Sequence, residues 1–126
     1  MRIAACSCGQ LTAACEGEPV RVSICHCFAC QRRTGSVFGV QSRWATKQVT
    51  ITGEASEFVR RGDSGLDLRF RFCPRCGTTL WWTLERDPGL VVVAVGTFAD
   101  PDFPPPTVAV YEDHGQAWTP RLTAGA

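Results

Sequence analysis

No apolar run in the chain approaches the ~18 residues that would cross a bilayer as a helix, so no such span is expected. Net charge is scarce too: thirteen basic and twelve acidic residues leave +1, so no global field draws nucleic acid or an anionic membrane. Neither an internal repeat nor a linker rich in Pro, Gly or Ser divides the 126 residues, which argues against several domains. The segment Met1-Arg2-Ile3-Ala4-Ala5 is too short for the apolar region of a signal peptide and meets Cys6 at once. The expectation is one cytoplasmic domain over residues 1–120 with a loose tail at 121–126.

Helical periodicity is sparse as well. Alternation with a period of two runs through residues 11–16, 20–24, 49–52 and, most clearly, 66–72, where leucine and phenylalanine alternate with aspartate and arginine. Residues 90–95 form a nearly continuous apolar run, as in a strand buried on both faces. One or two helical turns are expected over residues 28–33, stopped by Thr34-Gly35. The proline-rich stretch 100–106 cannot be a central strand and reads as a surface loop. The fold class that follows is mainly β, antiparallel and strand-rich, with little helix.

What the chain does have is cysteine, eight in all. Seven fall into tight groups: Cys6-x-Cys8, Cys25-x-Cys27-x-x-Cys30 and Cys73-x-x-Cys76. Disulfides are rare in a reducing compartment, and a bridge across so short a loop would be strained. Thiolates at such spacings instead converge on one metal ion. Cys6-x-Cys8-Gly9 and Cys73-Pro-Arg-Cys76-Gly77 each close on a glycine that lets backbone N–H groups approach the sulfurs. Pairing these two turns gives a closed, structural zinc site of four cysteines. The alternative is that the triplet donates to this site and one pair is idle.

Cys25, Cys27 and Cys30 supply three ligands and leave a fourth position open for water or substrate. His26 can complete it or point away, as neighbours in an extended segment do. Cys15 lies on the apolar face of its strand, where a buried free cysteine is ordinary. His114 stands far along the chain without a motif and reads as a surface histidine. Three thiolates weaken Zn²⁺ as a Lewis acid but suit deprotonation and binding of a foreign thiol. The triplet thereby points to thiol chemistry, against a second structural zinc. Arg32, Arg33, Thr34 and Gly35 follow it directly and can offer guanidinium and N–H groups to an anionic ligand. Arg69 and Arg71 keep a strand face soluble, Phe38 packs inside, and Trp81 and Trp82 should face opposite sides of their strand.

The order Cys-x-Cys-Gly (residues 6–9), Cys-His-Cys-x-x-Cys-x-Arg-x-Thr-Gly (residues 25–35) and Phe-Cys-x-x-Cys-Gly-Thr (residues 72–78) resembles the glutathione-dependent formaldehyde-activating enzyme family, which includes centromere protein V. Gly17-Glu18-Pro19, Gly96-Thr97, Asp100-Pro101 and Trp118 extend the likeness over nearly the whole chain. The resemblance implies a β-rich fold similar to the small zinc-bound Rab-exchange factors. It implies two zinc ions per chain, a structural one on Cys6, Cys8, Cys73 and Cys76 and an open one on Cys25, Cys27 and Cys30. It also implies carbon–sulfur lyase chemistry that joins glutathione and formaldehyde as S-hydroxymethylglutathione. Family members often carry a histidine and a bulky aromatic in a late strand where this chain reads Val108-Ala109-Val110-Tyr111. The partner implied is a small thiol such as glutathione; the near-zero net charge and the lack of a long apolar run lead to the expectation of no nucleic acid and no membrane. The competing reading is a non-catalytic zinc-stabilised module that binds protein or nucleic acid. A thiol redox pair at Cys73-Pro-Arg-Cys76 is a third.

Overall fold

A computed structural model describes residues 1–119, 121 and 122. Most of the segment expected to be a loose tail lies outside the described residues. The strands are β1 (Arg2–Ala5), β2 (Thr12–Cys15), β3 (Arg21–Cys25), β4 (Gly39–Ala45), β5 (Val49–Thr52), β6 (Ser56–Arg61), β7 (Asp67–Phe72), β8 (Thr79–Leu84), β9 (Asp87–Ala94) and β10 (Val108–Val110). One helix, α1 (Phe28–Thr34), and short 3-10 turns at Thr46–Gln48, Val95–Phe98 and Glu112–His114 complete the described elements. The fold is mainly β, and among the described residues no helix is long and apolar enough to cross a membrane. Residues 100–106 form no strand.

Two sheets form. A three-stranded sheet has the order β1-β2-β5, and a seven-stranded sheet the order β10-β3-β4-β9-β8-β7-β6. Every pairing is antiparallel except that of β10 with β3. The small sheet covers one face of the large one. Its inward side chains, Ala4, Leu11, Ala13 and Cys15, pack on Trp44, Leu80, Val91 and Val93. The alternation of residues 11–15 therefore has its physical cause in this interface. Within it the Trp44 indole N–H donates to Ser42 Oγ at 2.8 Å, and Ser42 donates to the Val93 carbonyl at 3.0 Å. Both side chains are fully buried, so this chain of bonds removes two polar groups from an otherwise apolar layer.

The second face of the large sheet carries a smaller cluster of Phe70, Trp82, Leu84, Val92 and Ala94. β9 supplies Val91 and Val93 to one cluster and Val92 and Ala94 to the other. That two-sided burial is what its unbroken apolar run requires. β3 departs from simple alternation. Val20 is exposed, whereas Val22, Ser23, Ile24 and Cys25 are all buried, because β3 is an interior strand covered on both faces.

The tandem tryptophans face opposite sides, but neither is exposed. The register shifts between β7 and β8 so that Arg71 opposes Trp81 while Phe72 opposes Thr79. This bulge lets Leu80 and Trp81 both pack on the first cluster and turns Trp82 into the second. Arg69 and Arg71 share Glu57 on the face away from the second cluster, at 2.9 and 3.2 Å.

Candidate metal centres and the adjoining cavity

The first centre is built by two turns that differ by one residue in length. Gly9 N–H closes on the Cys6 carbonyl at 3.0 Å and Gly77 N–H on the Cys73 carbonyl at 2.8 Å. Both glycines are left-handed, with φ of 83° and 80°. The turns meet through the Ser7 amide and hydroxyl, each 3.1 Å from Thr78 Oγ1. The Sγ atoms of Cys6, Cys8, Cys73 and Cys76 consequently lie within 4.8 Å of one another. Cys8 Sγ stands 3.6 Å from both Cys6 Sγ and Cys73 Sγ. Four sulfurs at about 2.3 Å from a tetrahedral zinc would stand about 3.8 Å apart, so the donor set fits that ion.

Donors surround these sulfurs. Leu11 N–H reaches Cys6 Sγ at 3.3 Å, and Arg75 N–H and Gln10 Nε2 reach Cys73 Sγ at 3.4 and 3.0 Å. The Thr78 hydroxyl sits 3.4 Å from Cys76 Sγ. That contact, followed by backbone N–H groups, pulls the Cys76 thiol down to about 5. At Cys73 burial pushes upward, but the Gln10 and backbone hydrogen bonds prevail and lower it. Donors of this kind offset the −2 charge that four thiolates leave around Zn²⁺.

The second group sits where β3 passes into α1. Cys25 ends the strand. Cys27 caps the helix, its sulfur accepting from the Cys30 N–H at 3.4 Å, and Cys30 lies in the first turn. The three Sγ atoms lie within 4.8 Å of one another. Cys25 and Cys30 are buried, Cys27 is half-buried. Hydrogen bonding to Cys30 holds the Cys25 thiol below its usual range. The same bond, with burial, drives Cys30 upward. The Arg33 guanidinium lies beside these sulfurs. Burial pushes its pKa down, while charge on Cys30, Cys25 and Cys27 pulls it back up. It also stacks over Trp82 at 4.5 Å. A Cβ on Gly39 would come within 2.8 Å of Arg33 Nη2, so the missing side chain there makes room for the guanidinium.

Neither His26 nor Cys15 joins the triplet. His26 is fully buried and turned away, and among the described residues both its ring nitrogens lack a hydrogen-bond partner. Cys15 lies in the first core, where burial raises its thiol to about 11. The grouping also excludes a pooling of triplet and pairs into one site.

The triplet opens on a cavity of about 910 Å³ over the second face of the large sheet. Arg32 and Arg33 line it. Thr34 and Gly35 do not: the Gly35 N–H caps α1 on the Gln31 carbonyl at 2.8 Å, and the Thr34 hydroxyl donates to the Cys30 carbonyl at 2.9 Å. Thr34 borders instead a second groove, which Cys76, Gly77 and Thr78 also line. His114 corrects the surface reading. Its ring stacks on Phe28 at 4.6 Å and 3°, it touches Tyr111, and it lines the same cavity as the triplet. Gln31 Nε2 ties α1 to this segment by donating to the His26 and His114 carbonyls. Sequence reading missed Arg21, Arg43 and Asp63 on the cavity wall, since no local motif marks them, whereas Tyr111, also on that wall, belongs to the late stretch where the chain departs from the family pattern.

A family model described as glutathione-dependent formaldehyde-activating enzyme matches residues 1–114. No curated protein matches the chain. Among solved structures, the crystal structure of a Rhodobacter sphaeroides protein, a Northeast Structural Genomics target, is similar with a TM-score of 0.62 and 16% identity. The match covers 86% of this chain and 99% of that one, and at such identity it supports the fold alone.

Proposed function

This chain belongs to the glutathione-dependent formaldehyde-activating enzyme family, and from that premise we propose that it is a zinc-dependent carbon–sulfur lyase-type enzyme joining glutathione and formaldehyde. The observation that carries the reading is the meeting of three converging thiols with a large cavity. A four-thiol group stands separately, as a structural site would.

In this proposal Cys6, Cys8, Cys73 and Cys76 hold one zinc, and Cys25, Cys27 and Cys30 hold a second. A metal held by the triplet supplies acidity to a thiol that reaches it, because coordination lowers thiol pKa toward neutrality. The protein's own groups do the rest. Arg33, fixed by Trp82, offsets the charge of the three thiolates. Phe28, stacked on His114, walls the triplet's end of the cavity. Arg32 at the rim offers a cation to an anionic ligand, whereas Thr34 and Gly35 serve the helix cap. In the reaction the thiol sulfur bonds to the formaldehyde carbon, the carbonyl π bond breaks, and the thiol proton ends on the new hydroxyl. No oxidant or reductant is needed.

The test is exchange NMR on glutathione and formaldehyde with zinc-loaded protein. Faster exchange than in buffer, abolished by Cys27→Ser, supports the proposal. Exchange equal to buffer across several aldehydes sinks it.

A further inference from the structure

The floor of the cavity has an order along β3 and β4. Register pairs Cys25 with Gly39, Ser23 with Gln41, and Arg21 with Arg43. Strand residues two apart share a face, so all three rungs face the same way. The triplet lies at one end of this ladder and a pair of arginines at the other. Four residue-to-residue steps along the strand separate them, about 13 Å at 3.3 Å per step.

Two arginines directly opposed across a strand pair repel each other unless something negative sits between them. The protein supplies little. Among the described residues no hydrogen bond or ion pair joins the Arg21 side chain, and its enclosed Nε has no partner. Arg43 reaches Asp87 at a long 3.8 Å, and Asp87 is also shared with Arg86 at 3.6 Å. Arg21, Arg43 and Arg86 all line the cavity, and Asp87 is the one carboxylate whose charge acts on Arg43; the lining carboxylates Asp63 and Asp67 are engaged by Tyr111 and Arg61. Burial, then the charge of Arg21, holds the Arg43 guanidinium below its ordinary range. A local surplus of positive charge thus stands at one end of a cavity in a chain whose net charge is +1.

We propose that Arg21 and Arg43 form a carboxylate subsite that takes the anionic end of the thiol whose sulfur faces Cys25, Cys27 and Cys30. The subsite rests on the thiol reading of the triplet given above. It selects thiols that carry a carboxylate at the end of a peptide-like arm over short neutral thiols. Two adjacent guanidiniums offer the forked donors that carboxylates accept.

The test separates the carboxylate contact from the sulfur contact. S-Methylglutathione keeps both carboxylates but has no ionisable thiol. Its binding to the zinc-loaded protein, followed by calorimetry, is compared with that of its diethyl ester and with its binding to Arg43→Gln and Arg21→Gln. A charge-assisted contact of this kind is worth about tenfold to a hundredfold in affinity. The expected result is a loss of that size for the ester on the wild-type protein and for each variant. The ester comparison needs no variant to fold. In parallel, 2-mercaptoethanol is added to the cobalt-loaded protein and the sulfur-to-cobalt absorption is recorded. If that absorption changes while S-methylglutathione fails to bind, or binds both variants as well as wild type, the subsite is refuted and the thiol reading stands. If no thiol alters the absorption but S-methylglutathione depends on Arg21 and Arg43, the thiol reading falls and the carboxylate site stands.

Discussion

The Tyr111 hydroxyl donates to Asp63 Oδ2 at 2.6 Å, and this bond links opposite edges of the large sheet. Tyr111 directly follows β10, while Asp63 lies in the turn between β6 and β7. β10 and β6 are the two edge strands, so the sheet curls far enough to bring them together above the cavity. Tyr111 takes a left-handed φ of 55° to reach, a conformation that costs a non-glycine residue about 1 kcal/mol or more.

That bond sets a titration. The hydrogen bond to Asp63, then its negative charge, raises the Tyr111 phenol above its ordinary value of 10.0. A raised folded-state pKa means that the stabilisation is present below the unfolded value and is lost as pH rises through the folded one. Tyr111 is the one tyrosine in the sequence, so phenolate absorbance reports it alone. The wild-type midpoint should exceed 10 and return toward it in Asp63→Asn. Equal midpoints in the two proteins would remove the strap from the account.

Gly53 tests the support beneath the first cysteine turn. Its φ is 106°, and a Cβ there would collide with the backbone carbonyl of Gln10, whose side chain contacts Cys73 Sγ. Backbone cannot move aside as a flexible side chain can. Gly53→Ala should therefore cost about 3 kcal/mol or more in denaturant unfolding. Gly39→Ala meets only the tip of Arg33. It should cost about 1 kcal/mol and move Arg33 off Trp82, visible as a change in tryptophan emission.

Ser42 tests the dry layer between the sheets. Ser42→Ala strands the Trp44 indole N–H inside a fully buried site. Leaving a buried donor unmet costs about 1–3 kcal/mol. An unfolding free energy unchanged within error would mean that another acceptor serves the indole.

The two metal groups should separate by mutation. Cys73 is fully buried in the first core and belongs to the four-thiol group. Cys73→Ser should remove one zinc per chain and prevent stable folding, since structural zinc contributes about 10 kcal/mol or more to small domains. Cys27 is half-buried at the cavity. Cys27→Ser should remove one zinc and leave the thermal transition cooperative. Metal content with circular dichroism melts decides both.

What the sequence disclosed follows from how far apart the cooperating residues lie in the chain. Cys25, Cys27 and Cys30 span six positions, so their spacing alone predicts convergence. The continuous apolar run of β9 announces burial on both faces without knowledge of its neighbours. α1 was legible from the glycine at position 35, which takes φ of 71° as a helix-ending residue does. Arg21 and Arg43 were not legible, because an arginine in an alternating strand looks the same whether its face meets water or a cavity. Their pairing depends on the β3–β4 register. His114 reads as a surface residue until the chain folds it onto Phe28, eighty-six positions earlier. The bulge at Leu80 cannot be read from the Leu-Trp-Trp string, yet it decides which tryptophan borders the cavity.

The central claim, that the triplet binds zinc and leaves a place for a foreign sulfur, is met most directly by X-ray absorption at the zinc edge with and without glutathione. With four thiols at one site and three at the other, the account expects about 3.5 sulfurs per zinc in the free protein, rising to about 4 when glutathione is added. An average that starts at 4 and does not move, or a protein that holds a single zinc in both conditions, contradicts it.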